Sequence, residues 1–304
     1  MENPDALMLE VPCSLCGSKE ADVLYRSKAT ASAADAAHFA ATTDVFGLYG
    51  TLRRCRACGM VYTSPRPDPE ALLEGYRTTE DEDYRRESES RCMNGYLSLA
   101  LLRRHVRSGR LLEVGCSAGF FLNAARTSFE VTGVEPSRWA REYAAKTLHL
   151  PKVVETLQGE RFPDAHFDAA ALIDVIEHLD DPRGMMREVA RVLRPGGFLY
   201  LVTPDIESLS ARLLRGYWWG LRPAHIQYFS PRTLKTLLDK AGFETVLVKS
   251  YGRIFTWGYW LSRLSNYPRP VHAAVEALVR LLGLEDKFLY LDTRDSMQVV
   301  ARRR

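Results

Sequence analysis

Residues 110 to 125 read RLLEVGCSAGFFLNAA, a short apolar run, a turn carrying two glycines, and the start of an apolar helix. The run has the length and composition of a strand buried in a parallel sheet. Glycines at 115 and 119 let the backbone approach a ligand where the strand gives way to the helix. A dinucleotide fingerprint requires glycine at 115, 117 and 120, but these positions hold Gly, Ser and Phe, and the chain has no Gly-Lys-Ser/Thr phosphate loop. The turn therefore belongs to a ligand-binding α/β unit of another kind.

Downstream the pattern repeats. FEVTGVEP, KVVETL, FDAAALIDV and GGFLYLVTP are further apolar runs, FETVLVKSYG reads as a sixth strand and SMQVVAR as a seventh. Helices separate them. Asp181-Pro182 supplies an N-cap and a first-turn proline, Val189, Val192 and Leu193 mark a buried face, and Pro195-Gly196-Gly197 ends that helix. Ser230 caps and Pro231 opens the clearest helix, with Leu234, Leu237, Leu238 and Ala241 at helical spacing before Gly242. Between the sixth and seventh strands lie Trp257, Tyr259 and Trp260 and an amphipathic helix over 271–284, on which Glu276 and Arg280 pair at i,i+4. The expectation is a doubly wound, seven-stranded α/β sheet with its ligand site at the carboxyl ends of the strands.

Upstream the chain changes character. Two C-x-x-C pairs, Cys13/Cys16 and Cys55/Cys58, are each followed at once by glycine, and Cys92 and Cys116 stand singly. In a reducing compartment this usage favours metal over disulfide, and four thiolates suit a structural tetrahedral Zn²⁺ with no open position. Redox-active or buried free thiols are the competing readings. The alanine-rich stretch 29–41 reads either as a short helix or as an insertion. TSPRPD at 63–68 reads as a linker, because its prolines remove donors. An acid- and arginine-dense segment, 78–89, leads into a helix ending near Gly109. The division expected is 1–68 for the zinc-binding domain, 69–108 for linker and lid helix, and 109–304 for the catalytic domain with an insertion at about 255–293.

Composition narrows the function classes. The 304 residues are 46% hydrophobic and 26% charged, which suits a folded globular chain, and the net charge of +3 gives no long-range attraction for nucleic acid. The terminal Arg302, Arg303 and Arg304 read as solvated. MENPDALMLEVP has no basic stretch before an apolar core, and no apolar run reaches membrane-span length, so a cytoplasmic protein is expected.

The segment Glu113-Val-Gly115-Cys-Ser117-Ala-Gly119 resembles the acid-x-Gly-x-Gly-x-Gly loop of class I S-adenosylmethionine-dependent methyltransferases, with Ser117 in place of the middle glycine. The likeness runs over roughly residues 90–304 in motif order: Glu135 twenty positions after Gly115, then Thr156-Leu157, Phe167-Asp168, Asp174-Val-Ile-Glu177-His178-Leu and Leu193-Arg-Pro-Gly-Gly197. It implies that S-adenosylmethionine is bound by Glu113, Gly115, Ser117, Gly119, Glu135, Thr156, Leu157 and Asp174. In the family the loop packs on the methionine part, Glu135 takes the ribose hydroxyls and Thr156-Leu157 lie by the adenine. Cys55-Arg-Ala-Cys58-Gly-Met-Val-Tyr-Thr-Ser-Pro-Arg-Pro is in turn similar to the zinc domain preceding some sugar and natural-product methyltransferases. The sugar C-methyltransferases among them carry a further C-terminal domain, whereas little follows the seventh strand here, and O, N or C methylation stays open.

Methyl transfer from a sulfonium needs an aligned acceptor and a base for its proton. His225, in Leu-Arg-Pro-Ala-His225-Ile-Gln-Tyr228, resembles the histidine of the acceptor loop in sugar methyltransferases and is the expected base; a packing or capping role competes. His178 is a second candidate. Glu177, His178 and His225 together suggest a divalent-metal site, as in small-RNA 2′-O-methyltransferases and ubiquinone-pathway O-methyltransferases, although Asp174 stands where those more often have Glu. Tyr76 and Tyr84 read either as a lid or as part of a solvated linker. Trp218, Trp219 and the 257–260 aromatics either line an acceptor pocket or pack as core and oligomer interface, a homodimer being one outcome. A zinc-ribbon adaptor without activity is the alternative of a different class; its methyltransferase motifs would be degenerate, yet Gly115, Gly119 and Glu135 are present. The partner expected is a small-molecule acceptor, not nucleic acid.

Overall fold

A computed structural model describes residues 8–28, 39, 47–264 and 269–304. Apart from Phe39, the alanine-rich stretch 29–41 lies outside the described residues. The chain opens with β1 (Met8–Leu9), β2 (Ala21–Tyr25), β3 (Leu52–Cys55), β4 (Val61–Thr63) and β5 (Arg66–Pro67). The TSPRPD stretch is thus more than a linker, since Arg66 and Pro67 pair antiparallel with Leu9 and Met8. A proline is tolerated there because the pairing is a two-residue edge. Helix α1 (Pro69–Thr78) is capped by Asp68, whose side chain accepts from the amides of Glu70 and Ala71. After α2 (Glu82–Arg86), α3 (Ser88–Leu102) stops short of Gly109, where the amides of Arg103 to Val106 turn back onto carbonyls of its last turn.

The remaining elements alternate: β6 (Gly109–Val114), α4 (Phe120–Ala125), β7 (Phe129–Val134), α5 (Arg138–Lys146), β8 (Val153–Val154), α6 (Leu157–Glu160), β9 (Phe167–Ile173), α7 (Pro182–Val192) and β10 (Leu193–Pro204). Then come α8 (Leu209–Leu214), β11 (Gln227–Tyr228), α9 (Pro231–Lys240), β12 (Phe243–Ser250), β13 (Arg253–Thr256), α10 (Trp257–Leu264), α11 (Arg269–Leu281), β14 (Phe288–Leu291) and β15 (Ser296–Arg303). Seven strands form one sheet in the order β12-β15-β10-β9-β6-β7-β8. β6 to β10 run parallel, and β15 inserts antiparallel between β10 and β12.

Alternation along the strands assigns each side chain to a layer. Leu112, Ala170, Leu172, Leu199 and Leu201 pack with Met186 and Val189 of α7 and Leu234, Leu237 and Leu238 of α9. Leu111, Ala169, Ala171, Tyr200 and Val202 pack with Leu99 of α3, Phe121 of α4 and Ala144 of α5. The predicted caps are in place: Asp181 accepts from Gly184, and Ser230 forms a capping box with Thr233. The 255–293 region is a β13–β14 hairpin enclosing α10 and α11, with the Glu276–Arg280 pair at 2.8 Å.

The sequence does not announce β11. It lies in the stretch after β10 and joins β2, β3 and β4 in a four-stranded sheet of order β11-β4-β3-β2. Cys13, Cys55, Met60 and Tyr62 accordingly share a buried cluster with α7, α9 and the large sheet. Among the described residues no helix is long and apolar enough to cross a membrane.

Candidate active site

At the carboxyl ends of β6, β7, β9 and β10 the sheet opens into a cavity of about 1030 Å³. The turn after β6 explains its own sequence. Gly115 and Gly119 have φ of 71° and 85°, and a Cβ at either would come to 2.4 Å of Val175 or Leu150. Ser117 also takes a left-handed φ of 46°, so the serine occupies a conformation that the glycine of the resembling pattern adopts without strain. Its amide donates to Glu135 Oε2 at 2.8 Å, and the amide of Ser137 donates to Oε1 at 2.8 Å. Burial pushes Glu135 up, opposed by those two amides and by Arg141. Glu113, beneath it, is buried with Oε2 lacking a hydrogen-bond partner, and burial together with the Glu135 charge pushes its carboxyl well up.

Of the residues expected at the cofactor, Glu113, Gly115, Ser117, Glu135, Thr156, Leu157 and Asp174 all line the cavity. Gly119 instead forms the N-cap of α4 behind it. Thr156 also caps α6 through Gly159. Asp174 has a partner that sequence reasoning missed: both its oxygens are held by Arg253, at 2.7 and 2.8 Å. No spacing rule points to Arg253, which arrives from β13 across 79 residues of sequence.

The acceptor candidates converge on the opposite side. Glu177, His178 and His225 each offer a ligand atom within 4.8 Å of the others, and the two imidazoles stand 4.7 Å apart edge to face. His225 Nδ1 lies 2.8 Å from the carbonyl oxygen of Gly220, and His178 Nδ1 lies 3.0 Å from that of Ala224. A carbonyl only accepts, so His225 Nδ1 carries the proton and its Nε2 keeps a lone pair, whereas His178 Nδ1 lies between that carbonyl and the Tyr76 hydroxyl, which can donate or accept. Burial drives both rings toward neutrality, His178 to about 4 and His225 well below its usual value, the latter helped by His178 and Arg222. Glu177 is pushed up to about 8 by burial and by the Asp174 charge, its Oε2 accepts from Thr203 at 3.0 Å, and its Oε1 has no hydrogen-bond partner.

The helices before β6 cover this site. Tyr76, on α1, brings its hydroxyl to 2.7 Å of His178 Nδ1 and its ring against Phe39. Tyr84 stacks on Phe120 with the Arg91 guanidinium 3.5 Å above its ring. Trp219 and the 257–260 aromatics line the cavity, whereas Trp218 is buried in a separate cluster with Tyr49 and Tyr228.

The four paired cysteines form a second centre, behind α9. Cys13 and Cys58 sulfurs are 3.5 Å apart, as are those of Cys16 and Cys55, and all four lie within 4.8 Å of one another. A tetrahedral zinc with Zn–S of about 2.3 Å separates its sulfurs by about 3.8 Å, so the donor set fits. Each knuckle is closed by the glycine that follows it, Gly17 donating to Cys13 and Gly59 to Cys55. α9 braces both, Arg232 donating to the Cys58 carbonyl and Lys240 to that of Leu15.

The strand order, the glycine turn after the first strand of the sheet and the acid closing the second define the class I methyltransferase fold. Residues 84–248 match the family described as a methyltransferase domain, and the chain belongs to that family. Among curated proteins it is 32% identical over 167 residues to an uncharacterised 37.1 kDa protein in transposon TN4556 of Streptomyces fradiae, covering 51% of this chain and 44% of that one. It is 32% identical over 102 residues to a ubiquinone biosynthesis O-methyltransferase of Yersinia pestis, covering 31% of this chain and 42% of that one. The matched part thus spans less than half the length of these relatives. A solved S-adenosylmethionine-dependent methyltransferase from Archaeoglobus fulgidus is 20% identical, with a TM-score of 0.47 over 69% of this chain and 94% of that chain.

Proposed function

We propose that this protein transfers a methyl group from S-adenosylmethionine to a small-molecule acceptor, a sugar or natural-product intermediate, with His225 receiving the acceptor's proton. The observation that carries the reading is that one cavity is lined by the glycine turn and Glu135 and also by His178 and His225. When bound, S-adenosylmethionine supplies a methyl group already activated on a sulfonium. Glu135 offers its carboxylate to vicinal hydroxyls while its two amide bonds hold the turn in register. Thr156 and Leu157 close the adenine side, and Tyr76 and Tyr84 exclude water from above. The Nε2 lone pair of His225 is a base for an acceptor hydroxyl, and its Nδ1–H to Gly220 fixes the tautomer. Hydroxyl acceptors fit the O-methyltransferase among the relatives. Incubation with methyl-labelled S-adenosylmethionine and a panel of sugars, nucleotide sugars and phenols tests this; cofactor binding without transfer to any hydroxyl would defeat it.

One observation favours a second reading of the same chemistry. Two imidazoles and the Glu177 carboxyl, with ligand atoms within 4.8 Å of one another and Glu177 Oε1 lacking a hydrogen-bond partner, fit a divalent cation, which would polarise the acceptor hydroxyl. Glu177, His178 and His225 would hold it. The cysteine cluster we read as a structural zinc site. The sequence units 1–68, 69–108 and 109–304 then serve as zinc module, cover and catalytic sheet.

A further inference from the structure

The two histidines sit on segments that are stitched to each other and to the cysteine knuckle. His225 lies two residues before β11, and the intervening Ile226 donates its amide to the Glu177 carbonyl at 3.0 Å while its carbonyl accepts from Thr63 of β4 at 2.9 Å. Thr63 Oγ1 also reaches the His225 carbonyl at 3.4 Å. Tyr62 and Val61 pair with Gln227 and Tyr228, so the hairpin that ends in Cys55 and Cys58 runs alongside the histidine segment.

Gln227 closes the link. It is fully buried, and both ends of its amide are used. Its Oε1 accepts from Ser14 Oγ at 2.7 Å, and its Nε2 donates to the carbonyl of Leu179 at 3.2 Å. Ser14 lies inside the first C-x-x-C knuckle, between Cys13 and Cys16, and Leu179 directly follows His178. The amide orientation is unambiguous, because the Leu179 carbonyl only accepts. One buried side chain therefore spans from the cysteine knuckle to the residues beside both imidazoles. A buried amide with both ends satisfied fixes its neighbours, whereas losing one partner leaves a polar atom with nowhere to turn.

We propose that Gln227 is a positioning residue that transmits the geometry of the four-cysteine centre to His178 and His225, making the knuckle a structural part of the acceptor site. This rests on the reading of those histidines as acceptor-side groups and of the cysteines as a zinc centre. Ring orientation of two neighbouring imidazoles sets where their ring nitrogens point, and small displacements there lower catalysis steeply.

Long-range ¹H–¹⁵N spectra of the full chain, labelled in histidine, read the two ring environments without an identified acceptor. Ser14→Ala removes the link while leaving all four thiols, and Ser14→Thr keeps the hydroxyl. The expected result is that Ser14→Ala and Gln227→Leu shift the His178 and His225 ring nitrogens, that Ser14→Thr restores them, and that S-adenosylmethionine affinity stays within about twofold throughout. Ring signals unchanged in Ser14→Ala would overturn the proposal, even if Gln227→Leu fails to fold. Zinc is measured on the same samples. Signals that move only where zinc has been lost, and return when it is restored, would also overturn the relay. Wild-type protein free of zinc, with the Ser14→Ala shift intact, would instead defeat the zinc reading and leave the relay standing.

Discussion

Glu135, closing β7, holds the amide of Ser117 in the turn after β6 at 2.8 Å, so the acid and the glycine turn are one mechanical unit. Its other oxygen holds Ser137 at the start of α5. A carboxylate in that position ties the glycine turn to the start of α5.

Glu135→Ala is expected to weaken S-adenosylmethionine binding at least tenfold, about 1.4 kcal/mol, because the proposed ribose acceptor is lost and two amides lose their partner. Calorimetry measures it. Wild-type affinity in the variant would remove Glu135 from the ribose.

One zinc per chain is expected in protein purified without added metal, read by mass spectrometry of the metal content. Chelation is then expected to lower the thermal midpoint in a single transition, because Cys13 and Cys55 share their buried cluster with α7, α9 and the large sheet. Two separate transitions would show that the module holds together by itself.

His225→Ala is expected to lower turnover by roughly a hundredfold while leaving cofactor affinity within about twofold, since the proposed function puts this residue at the acceptor and not at the adenosyl group. If the cation reading holds, chelation that spares the zinc abolishes activity and Mg²⁺ or Mn²⁺ restores it. Activity surviving both treatments would leave alignment as the whole of catalysis.

Glu177 gives a pH signature. The native carboxyl keeps its proton to about pH 8, while the unfolded chain releases it near the usual 4.5. Unfolding between these values therefore releases a proton, and this group's contribution to stability is lost as pH rises through the window. In chelated protein, the thermal midpoint of Glu177→Gln minus that of wild type is expected to grow from pH 5 to pH 8. A flat difference would show that Glu177 ionises normally in the fold.

The catalytic sheet was legible because its signals are local. Apolar runs such as LLEV and FLYLV, the Asp181 and Ser230 caps and the turn glycines each act within a few residues, and all seven strands overlap the expected runs. β10, however, already begins at Leu193, so Pro195-Gly196-Gly197 interrupts the strand register instead of ending α7. The four cysteines were legible for the same reason, two short C-x-x-C knuckles each closed by the glycine that follows it. The helix expected to reach Gly109 ends at Leu102, because a tight turn there leaves little trace in composition.

What the sequence by itself determined was the order of elements, the glycine turn with Glu135 and the membership of Cys13, Cys16, Cys55 and Cys58 in one centre. Only the tertiary structure decided that Asp174 faces Arg253, that Gln227 joins Ser14 to Leu179, and that β11 completes the sheet beside the cysteines. These pairings join residues 48 to 213 positions apart. Hydrophobic periodicity records which face of an element is buried, but it carries no record of which distant polar group will meet it there.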